Sequence, residues 1–332
     1  MGDSSTCSTR TCCPPVFPTR HNRCMTRREF LPLLGAPLAA KAAPFPSILV
    51  HEHVLVDFIG ADRTSRDRWK EKEVIALVKP YLEEVKRLGC RRFQDCTPNF
   101  IGRDAKLLEK LSDAAGLEIW TNTGLYAAAQ DFKFLPKFAH DETASQLAVR
   151  WVNEARRGID GVKPRFIKIG VSGVSPLHPL DRKIVEAAAI TSAETGFTIA
   201  SHTTSGAAAL EELDLITGRG VKASKFVWVH AQNEKDQAIQ EQVARAGAWV
   251  ELDGIGPKTA RWHLECVMNL VAKGLGERVL ISQDAGWYRA GEPGGAPEQF
   301  RGYAYIYTDF IAGMEQKLAR QLLEHNPVKA FG

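Results

Sequence analysis

Hydrophobic and polar positions alternate along most of the chain between two patterns, one with the period of an α-helix and one typical of a buried strand. Between residues 74 and 88, apolar side chains recur every three or four positions, and the segment 91–96 that follows Gly89 has the pattern of a strand. The same pairing then repeats. Further strands are predicted at 117–123, 165–170, 197–201, 225–229, 248–252 and 278–282, and further helices at 104–115, 143–157, 181–195, 207–217, 235–246, 259–273 and within 305–324.

The apolar run at residues 48–53, Ile-Leu-Val-His-Glu-His, adds a first strand to this series. Its continuous Ile, Leu and Val are typical of a strand buried on both faces of a parallel sheet. The result is eight strands, each followed by a helix, in about 280 residues, which is the count and size of an α/β fold of the (β/α)8 TIM barrel type. An open doubly wound sheet is the alternative, but the chain has no Gly-x-Gly-x-x-Gly loop to support it.

Composition and charge narrow the class of partner. The chain has 332 residues, of which 44% are hydrophobic, so one large domain can bury a sizeable core. The first 42 residues hold six basic and two acidic side chains and account for the whole net charge of +4. The remaining, electrically balanced body gives no reason to expect binding to nucleic acid or to an anionic membrane. No apolar run reaches the ~18 residues that a membrane span needs.

The amino-terminal segment has a different character from the rest. Residues 1–24 show neither period and are predicted to be disordered, and a start at Met25 would leave them untranslated. Within 25–42, Arg27 and Arg28 precede an apolar stretch at 31–40 and the sequence Ala-Lys-Ala, which resembles a twin-arginine export signal. This interpretation predicts a periplasmic or secreted barrel at 43–332. The alternative is a basic, disordered terminus on a cytoplasmic protein.

Six side chains that can bind metal occur at the ends of predicted strands. Because side chains on a strand alternate between faces, His51 and His53 point to one side and Glu52 to the other. The other four follow later strands: Lys168, His202, His230 and Asp284. Taken singly, a strand-end His is usually a hydrogen-bonded core residue and a strand-end Asp a helix cap. Six together indicate a metal site at the mouth formed by the carboxyl ends of the strands.

These residues and their surroundings resemble the phosphotriesterase family of the amidohydrolase superfamily, from about residue 48 to residue 331. The supporting motifs are His51-Glu52-His53, Asp95-Cys96-Thr97-Pro98, Ile101-Gly102-Arg103-Asp104, Thr123-Gly124-Leu125-Tyr126, Phe166-Ile167-Lys168, Ala187-Ala188-Ala189, Thr195-Gly196, Ser201-His202-Thr203 and Asn326-Pro327. The resemblance implies that His51, His53 and Asp284 hold one divalent metal ion and that His202 and His230 hold a second. It also implies that Lys168, carboxylated by CO2, bridges the two ions together with a hydroxide.

The residue types suit that chemistry. An apolar strand lowers the pKa of a lysine, and the neutral amine can take up CO2 to become an anionic ligand. The two ions then acidify the bridging water and polarise the bond that is cleaved, while Asp284 accepts a proton. Tyr126 resembles a family tyrosine that leans over the metal pair; the alternative is an aromatic residue that only packs at the rim. Zinc is the expected metal, with manganese or cobalt as alternatives, because N and O ligands suit all three.

The chain also departs from the best-known members of the family. Asn233 occurs where they carry an acid three residues after the strand-six histidine, and Gly254 occurs where they carry His or Arg. The group that relays the proton away from the centre is therefore absent from its usual positions, and Glu234 or Asp253 is the candidate replacement. The segment 285–300, with Trp287 in it, is predicted either to contact the substrate or to be a mobile surface loop.

We therefore expect a binuclear metal-dependent hydrolase that acts on a small-molecule ester, lactone, amide or phosphoester. The missing relay favours a carbonyl substrate over a phosphotriester. The resemblance further implies a homodimer. Two alternatives stay open: a metal-dependent nuclease, against which the uncharged body argues, and an exported binding protein of the same fold that has lost catalysis.

Overall fold

The structure, a computed structural model, describes residues 45–332. The predicted disordered segment 1–24 and the predicted export signal 25–42 lie outside the described residues. Within the described range, no helix is both long and apolar enough to cross a membrane. Strands and helices alternate there as the sequence predicts. The ten strands of this range are β1 Ser47–Val56, β2 Cys90–Asp95, β3 Glu118–Trp120, β4 Asn122–Thr123, β5 Phe166–Gly170, β6 Ile199–His202, β7 Phe226–Val229, β8 Trp249–Leu252, β9 Val279–Ile281 and β10 Gly286–Arg289.

All paired strands run parallel and form two hydrogen-bonded sheets. One has the order β10-β1-β2-β3, and the other runs from β4 to β9 in chain order. The sheets meet between β3 and β4, which are two pieces of one strand, and between β9 and β10, where the Asp284 N–H donates to the His51 carbonyl at 3.0 Å. The eight strand positions thereby close into a ring, which confirms the predicted (β/α)8 barrel.

The helices cover the outside of this ring. They are α1 Glu71–Arg87, α2 Ala105–Ala115, α3 Lys137–Asp141, α4 Ala144–Arg157, α5 Pro179–Thr195, α6 Gly206–Gly218, α7 Gln237–Arg245, α8 Ala260–Ala272, α9 Gln316–Arg320 and α10 Asn326–Phe331. Local signals fix several ends. The Asp104 carboxylate accepts from the Leu107 N–H at the start of α2, and Thr143 and Gln146 cap α4 reciprocally. Each end is thus determined by side chains at the positions where the apolar period begins.

Two apolar cores lie on the two faces of the sheets. The larger core fills the space between strands and helices, and the smaller one contains alternate residues of the strands, such as Phe166 on β5 and Val227 on β7. On β1, Leu49 belongs to the larger core and Val50 to the smaller. One extra residue of β1 is inserted opposite β2 between Leu49 and Glu52. Such a bulge re-aims the side chains that follow it.

Three predicted elements differ from the structure. The strand predicted at 117–123 is interrupted at Thr121, whose carbonyl accepts from the Arg165 N–H at 3.0 Å. The single helix predicted within 305–324 is wrong: a π-helical turn at Ile306–Phe310 and a break that contains Gly313 precede α9. A second π-helical turn, Gln321–His325, leads into α10 just before Pro327, which cannot donate a helix hydrogen bond. The segment 285–300 contains β10, which pairs with β1.

Candidate metal centre

The four histidines predicted as ligands lie together at the barrel mouth, in two pairs. The rings of His51 and His53, both on β1, have centroids 5.3 Å apart, and those of His202 and His230 are 4.3 Å apart. The pairs are neighbours, since the His51 and His230 centroids are separated by 5.2 Å. His202 ends β6, and His230 directly follows β7 with a left-handed φ of 66°. Three segments, β1, the end of β6 and the residue after β7, therefore bring four imidazoles together.

Asp284 completes the first pair. Its Oδ1 lies 3.0 Å from His53 Nε2 and 3.7 Å from His51 Nε2, so the three residues could hold one ion. The φ of Asp284 is 49°, a conformation that is uncommon for residues other than glycine. Strained backbone of this kind is found mainly where function requires it.

Glu52, which the sequence pattern turns away from the two histidines, holds Asp284 from behind. Its Oε1 accepts from the Gln283 N–H at 3.1 Å and from the Ser282 hydroxyl at 2.9 Å, and its Oε2 accepts from the Ala285 N–H at 2.7 Å. The two backbone donors flank Asp284 on both sides. The sequence offered one signal for this role of Glu52, namely an acid between two histidines. The role itself could not be predicted, because the hydrogen-bond partners of Glu52 are 230 or more residues away along the chain.

Lys168 lies on β5 opposite Ala200 of β6 and is 2% exposed. Its charge acts on both histidine pairs, because it lowers the pKa of His51 and that of His202. Among residues 45–332, no side chain or carbonyl forms a hydrogen bond or ion pair with its amine. A buried ammonium without a partner is costly, so the position fits a lysine converted to an anionic carbamate.

Two of the imidazoles are oriented by hydrogen bonds at Nδ1. His53 Nδ1 lies 2.7 Å from the Thr97 hydroxyl, which itself donates to the Leu55 carbonyl, so Nδ1 carries the hydrogen. His51 Nδ1 lies 2.7 Å from Glu251 Oε1. The Nε2 lone pair of His53 consequently faces Asp284 Oδ1 at 3.0 Å. Two facing lone pairs repel unless a cation lies between them, which is what a metal ligand pair requires.

Asp253 orients the third imidazole. Its Oδ1 accepts from His230 Nδ1 at 2.5 Å and from Gln232 Nε2 at 2.9 Å, and its Oδ2 accepts from the His230 N–H at 2.9 Å. His51, His230 and Asp253 are also close enough to hold an ion. Because Asp253 meets both rings at Nδ1, we interpret it as a residue that orients the ligands. The sequence signal that could have pointed to Glu251 and Asp253 as orienting residues was the presence of two acids in the apolar segment 249–253.

Burial keeps the imidazoles of His51 and His202 neutral. It lowers the pKa of His51 to about 4, and the charge of Lys168 acts in the same direction. Burial, His230 and Lys168 together hold the pKa of His202 well below its ordinary value. Neutral imidazoles are the form that binds metal, so no proton has to be displaced from these rings at neutral pH.

Tyr126 lies beside the second pair. Its hydroxyl is 3.2 Å from His202 Nε2 and the two ring centroids are 5.0 Å apart. The ring also packs against Phe134, with centroids 5.9 Å apart. Burial raises the pKa of Tyr126, so its hydroxyl keeps its proton. Tyr126 therefore contacts both a candidate ligand and an aromatic residue of the rim.

The residues at the relay positions line a cavity, and the two candidate replacement acids make other contacts. Asn233 and Gly254 line a cavity of about 540 Å3 that opens onto His202, His230 and Asp284. Glu234 accepts from the Gly206 N–H at the start of α6, and Asp253 is engaged by His230. Neither candidate acid contacts Asp284 among the described residues. Of the segment 285–300, Trp287 contacts His53 with ring centroids 5.8 Å apart, whereas Tyr288 is buried in the larger core.

Comparisons with known proteins identify the family of the chain. The sequence model of the phosphotriesterase family matches residues 38–331. A phosphotriesterase homology protein of Escherichia coli (strain K12) is 27% identical over 85% of this chain and 97% of its own length. A crystal structure of the phosphotriesterase homology protein from Escherichia coli, complexed with phosphate in its active site, is 24% identical, covers 86% of this chain and 99% of its own, and has a TM-score of 0.74.

Two relatives differ in the reactions that their names describe. An aryldialkylphosphatase of Saccharolobus solfataricus is 23% identical over 91% of this chain and 99% of its own length. A phospho-furanose lactonase of Mycoplasmopsis synoviae is 27% identical over 78% of this chain and 80% of its own length. The match to the family model spans nearly the whole barrel and includes every predicted ligand. The chain therefore belongs to the phosphotriesterase family, as its strand-end residues predicted.

Proposed function

We propose that this protein is a binuclear metal-dependent hydrolase that cleaves carboxyl esters, lactones or amides in preference to phosphotriesters. Members of the family are hydrolases that depend on two metal ions. The observation that carries the proposal is the convergence of two histidine pairs and Asp284 at one mouth, beside the buried Lys168 of β5, whose amine has no hydrogen-bond partner among residues 45–332.

The residues present fit two divalent ions. His51, His53 and Asp284 offer two imidazole nitrogens and one carboxylate oxygen to a first ion, and His202 and His230 offer two nitrogens to a second. Five such ligands cannot fill two coordination shells, so a shared anion is needed, and a carbamate on Lys168 would supply it. Zinc is the metal we expect; manganese and cobalt accept the same donors.

When bound, such a metal pair supplies an acidified water and polarises the oxygen of the bond to be cleaved. The side chains of this chain do the rest. Asp284 would accept the proton of the attacking water and return it to the leaving group. The Tyr126 hydroxyl, which stays protonated, would donate a hydrogen bond next to His202. Thr97, Glu251 and Asp253 would keep the imidazoles fixed throughout.

The preference for a carbonyl substrate follows from the relay positions. An alkoxide or amine leaving group can take back the proton that Asp284 received, so the reaction needs no exit route for that proton. Asn233 cannot accept a proton and Gly254 has no side chain. A reaction that must move its proton out through these positions should be slow.

The test uses ethyl butyrate, whose alkoxide leaving group takes up a proton, and diethyl 4-nitrophenyl phosphate, whose nitrophenolate does not, with one metal-loaded preparation. We expect kcat/KM, corrected for the rate in buffer, to be higher for the carboxyl ester. Asp284→Asn should abolish both activities while circular dichroism shows an intact fold. A phosphotriester preferred by about tenfold or more would refute the argument from the relay. No turnover of any ester, lactone or amide would instead favour a binding protein.

A further inference from the structure

Four aromatic side chains form a continuous wall along one part of the barrel mouth. The aromatic wall consists of Trp287, Phe58, Phe134 and Tyr126. Successive ring centroids are 5.6, 5.8 and 5.9 Å apart. The wall begins on His53, which Trp287 contacts, and ends on His202, which Tyr126 contacts. It therefore spans both halves of the candidate metal centre.

The wall presents apolar surface to the mouth. Phe58 is 38% exposed, and the other large apolar side chains among residues 45–332 that are at least as exposed are three valines: Val149, Val174 and Val328. Trp287 adopts a φ of 80°, which is strained for a bulky residue. Its buried Nε1–H has no partner among the described residues. An exposed phenylalanine beside a strained tryptophan, both next to metal ligands, indicates a surface for an apolar group.

The other part of the mouth has the opposite character. The cavity of about 540 Å3 is lined by Lys235, after β7, and by Lys258, after β8. Lys235 Nζ donates to the Gln232 carbonyl at 3.1 Å and lies 4.6 Å from the centroid of Trp262. No acid of the described range forms an ion pair with either lysine. The acids that line this cavity, Asp253 and Asp284, lie against the candidate ligand histidines and form no ion pair with either lysine.

We propose that the substrate is a carbonyl compound with an apolar arm on one side of the scissile bond and an anionic group on the other. The apolar arm would pack on the aromatic wall, and a carboxylate, phosphate or sulfonate would lie between Lys235 and Lys258. The wall consists of residues that follow β1 and β4 and of Trp287 on β10, whereas the lysines follow β7 and β8, and the candidate ligands lie between them. This inference rests on the proposed function, because it places the scissile carbonyl at the metal centre.

Uncompensated cations at the rim of a low-dielectric cavity attract anions and set which ligand charge is accepted. The aromatic wall alone would accept neutral and charged molecules equally. The pair of surfaces together therefore selects molecules that carry both features. N-phenylacetylglycine is such a molecule; its hydrolysis adds one water across the C–N bond and yields phenylacetate and glycine.

The test measures binding by titration calorimetry, with the metal-loaded full-length chain and three probes. N-phenylacetylglycine carries both features, N-phenylacetylglycinamide lacks the charge, and N-acetylglycine lacks the aryl group. We expect the first to bind at least about tenfold more tightly than either of the others, and its advantage over the amide to shrink as salt is raised. Equal affinity for the acid and the amide in the unmodified protein would overturn the proposal.

Variants test the two lysines and the aromatic wall separately. Lys258→Glu and Lys235→Glu should each weaken binding of N-phenylacetylglycine by about tenfold and leave the amide unchanged, whereas Lys222→Glu, an exposed lysine outside the cavity, should change neither. Phe58→Ala should weaken both aryl probes by about tenfold, with Val149→Ala as the control. Controls that weaken binding as much as the test variants would overturn it.

Turnover separates this inference from the proposed function. Absence of hydrolysis with the binding pattern intact would overturn the proposed function and support the placement of an apolar arm on the aromatic wall and an anionic group at the two lysines. Hydrolysis of ethyl butyrate without any discrimination between the acid and the amide would support the function and overturn that placement.

Discussion

Glu212 is a buried acid that should make the stability of the barrel depend on pH. It lies on α6, where its carboxyl group accepts from the Ser201 hydroxyl at 2.5 Å and from the Thr203 hydroxyl, the two residues that flank His202. Burial raises the pKa of Glu212 from an ordinary value of 4.5 to about 8. At neutral pH the folded protein therefore holds a proton that the unfolded chain releases.

The sign and size follow from linkage. Because the folded state binds the extra proton, this contribution is fully present below pH 4.5 and is lost as pH rises toward 8. One pKa unit corresponds to about 1.4 kcal/mol, so the free energy of unfolding should fall by ~3 kcal/mol between pH 5 and pH 8. Glu212→Gln keeps the shape of the side chain and removes the titration, so the variant should lack this loss.

The assay is urea unfolding of the wild type and Glu212→Gln, both loaded with the same metal, at half-unit intervals from pH 5 to pH 8. The stability difference should grow in favour of the variant as pH rises. Glu292→Gln, the same change at an exposed position, is the control and should give a constant difference. If the Glu212→Gln difference also stayed constant within ~0.5 kcal/mol, the native acid would be ionised and the reasoning would be refuted.

Three further predictions concern the centre and export. Lys168→Ala should lower the metal content measured by mass spectrometry from two ions per chain to one or none; two ions retained at unchanged affinity would remove Lys168 from the site. Glu52→Gln must turn an amide toward one of the two backbone N–H groups that flank Asp284, so it should cost ~1–3 kcal/mol in urea unfolding and weaken metal retention; unchanged metal affinity would show that Asp284 needs no such support. Replacing Arg27 and Arg28 by lysine should retain the protein in the cytoplasm, whereas the wild type should be exported and cleaved near Ala42; identical fractionation of the two would contradict the signal.

The features that the sequence could predict are those carried by local periodicity. Helix and strand periods gave the eight repeating units, and parallel strands in a barrel necessarily end at one mouth. For that reason Lys168, His202, His230 and Asp284 could be placed together although long stretches of chain separate them. The family motifs then supplied a role for each, which the geometry accommodates.

The features that could not be predicted depend on contacts between distant strands or on unusual backbone. Glu251 meets His51 across 200 residues of chain, so its role appears only once the barrel is closed. The inserted residue in β1 and the positive φ angles of His230, Asp284 and Trp287 contradict the ordinary preferences of these residues. Tertiary structure imposes these conformations, and they all occur at the candidate ligands or next to them.

The pairing of β10 with β1 has a consequence for how substrate range can change in descendants of this chain. The residues after Asp284 close the ring: the His53 N–H donates to the Ala285 carbonyl at 2.9 Å, and a Cβ at position 286 would overlap the His53 carbonyl oxygen. Insertions or loop exchanges here would both open the barrel and displace the candidate ligand Asp284. New specificities at this side of the mouth should therefore arise by replacement of single side chains such as Trp287, while the segments beyond His230 and Asp253, which close no seam, are free to vary in length.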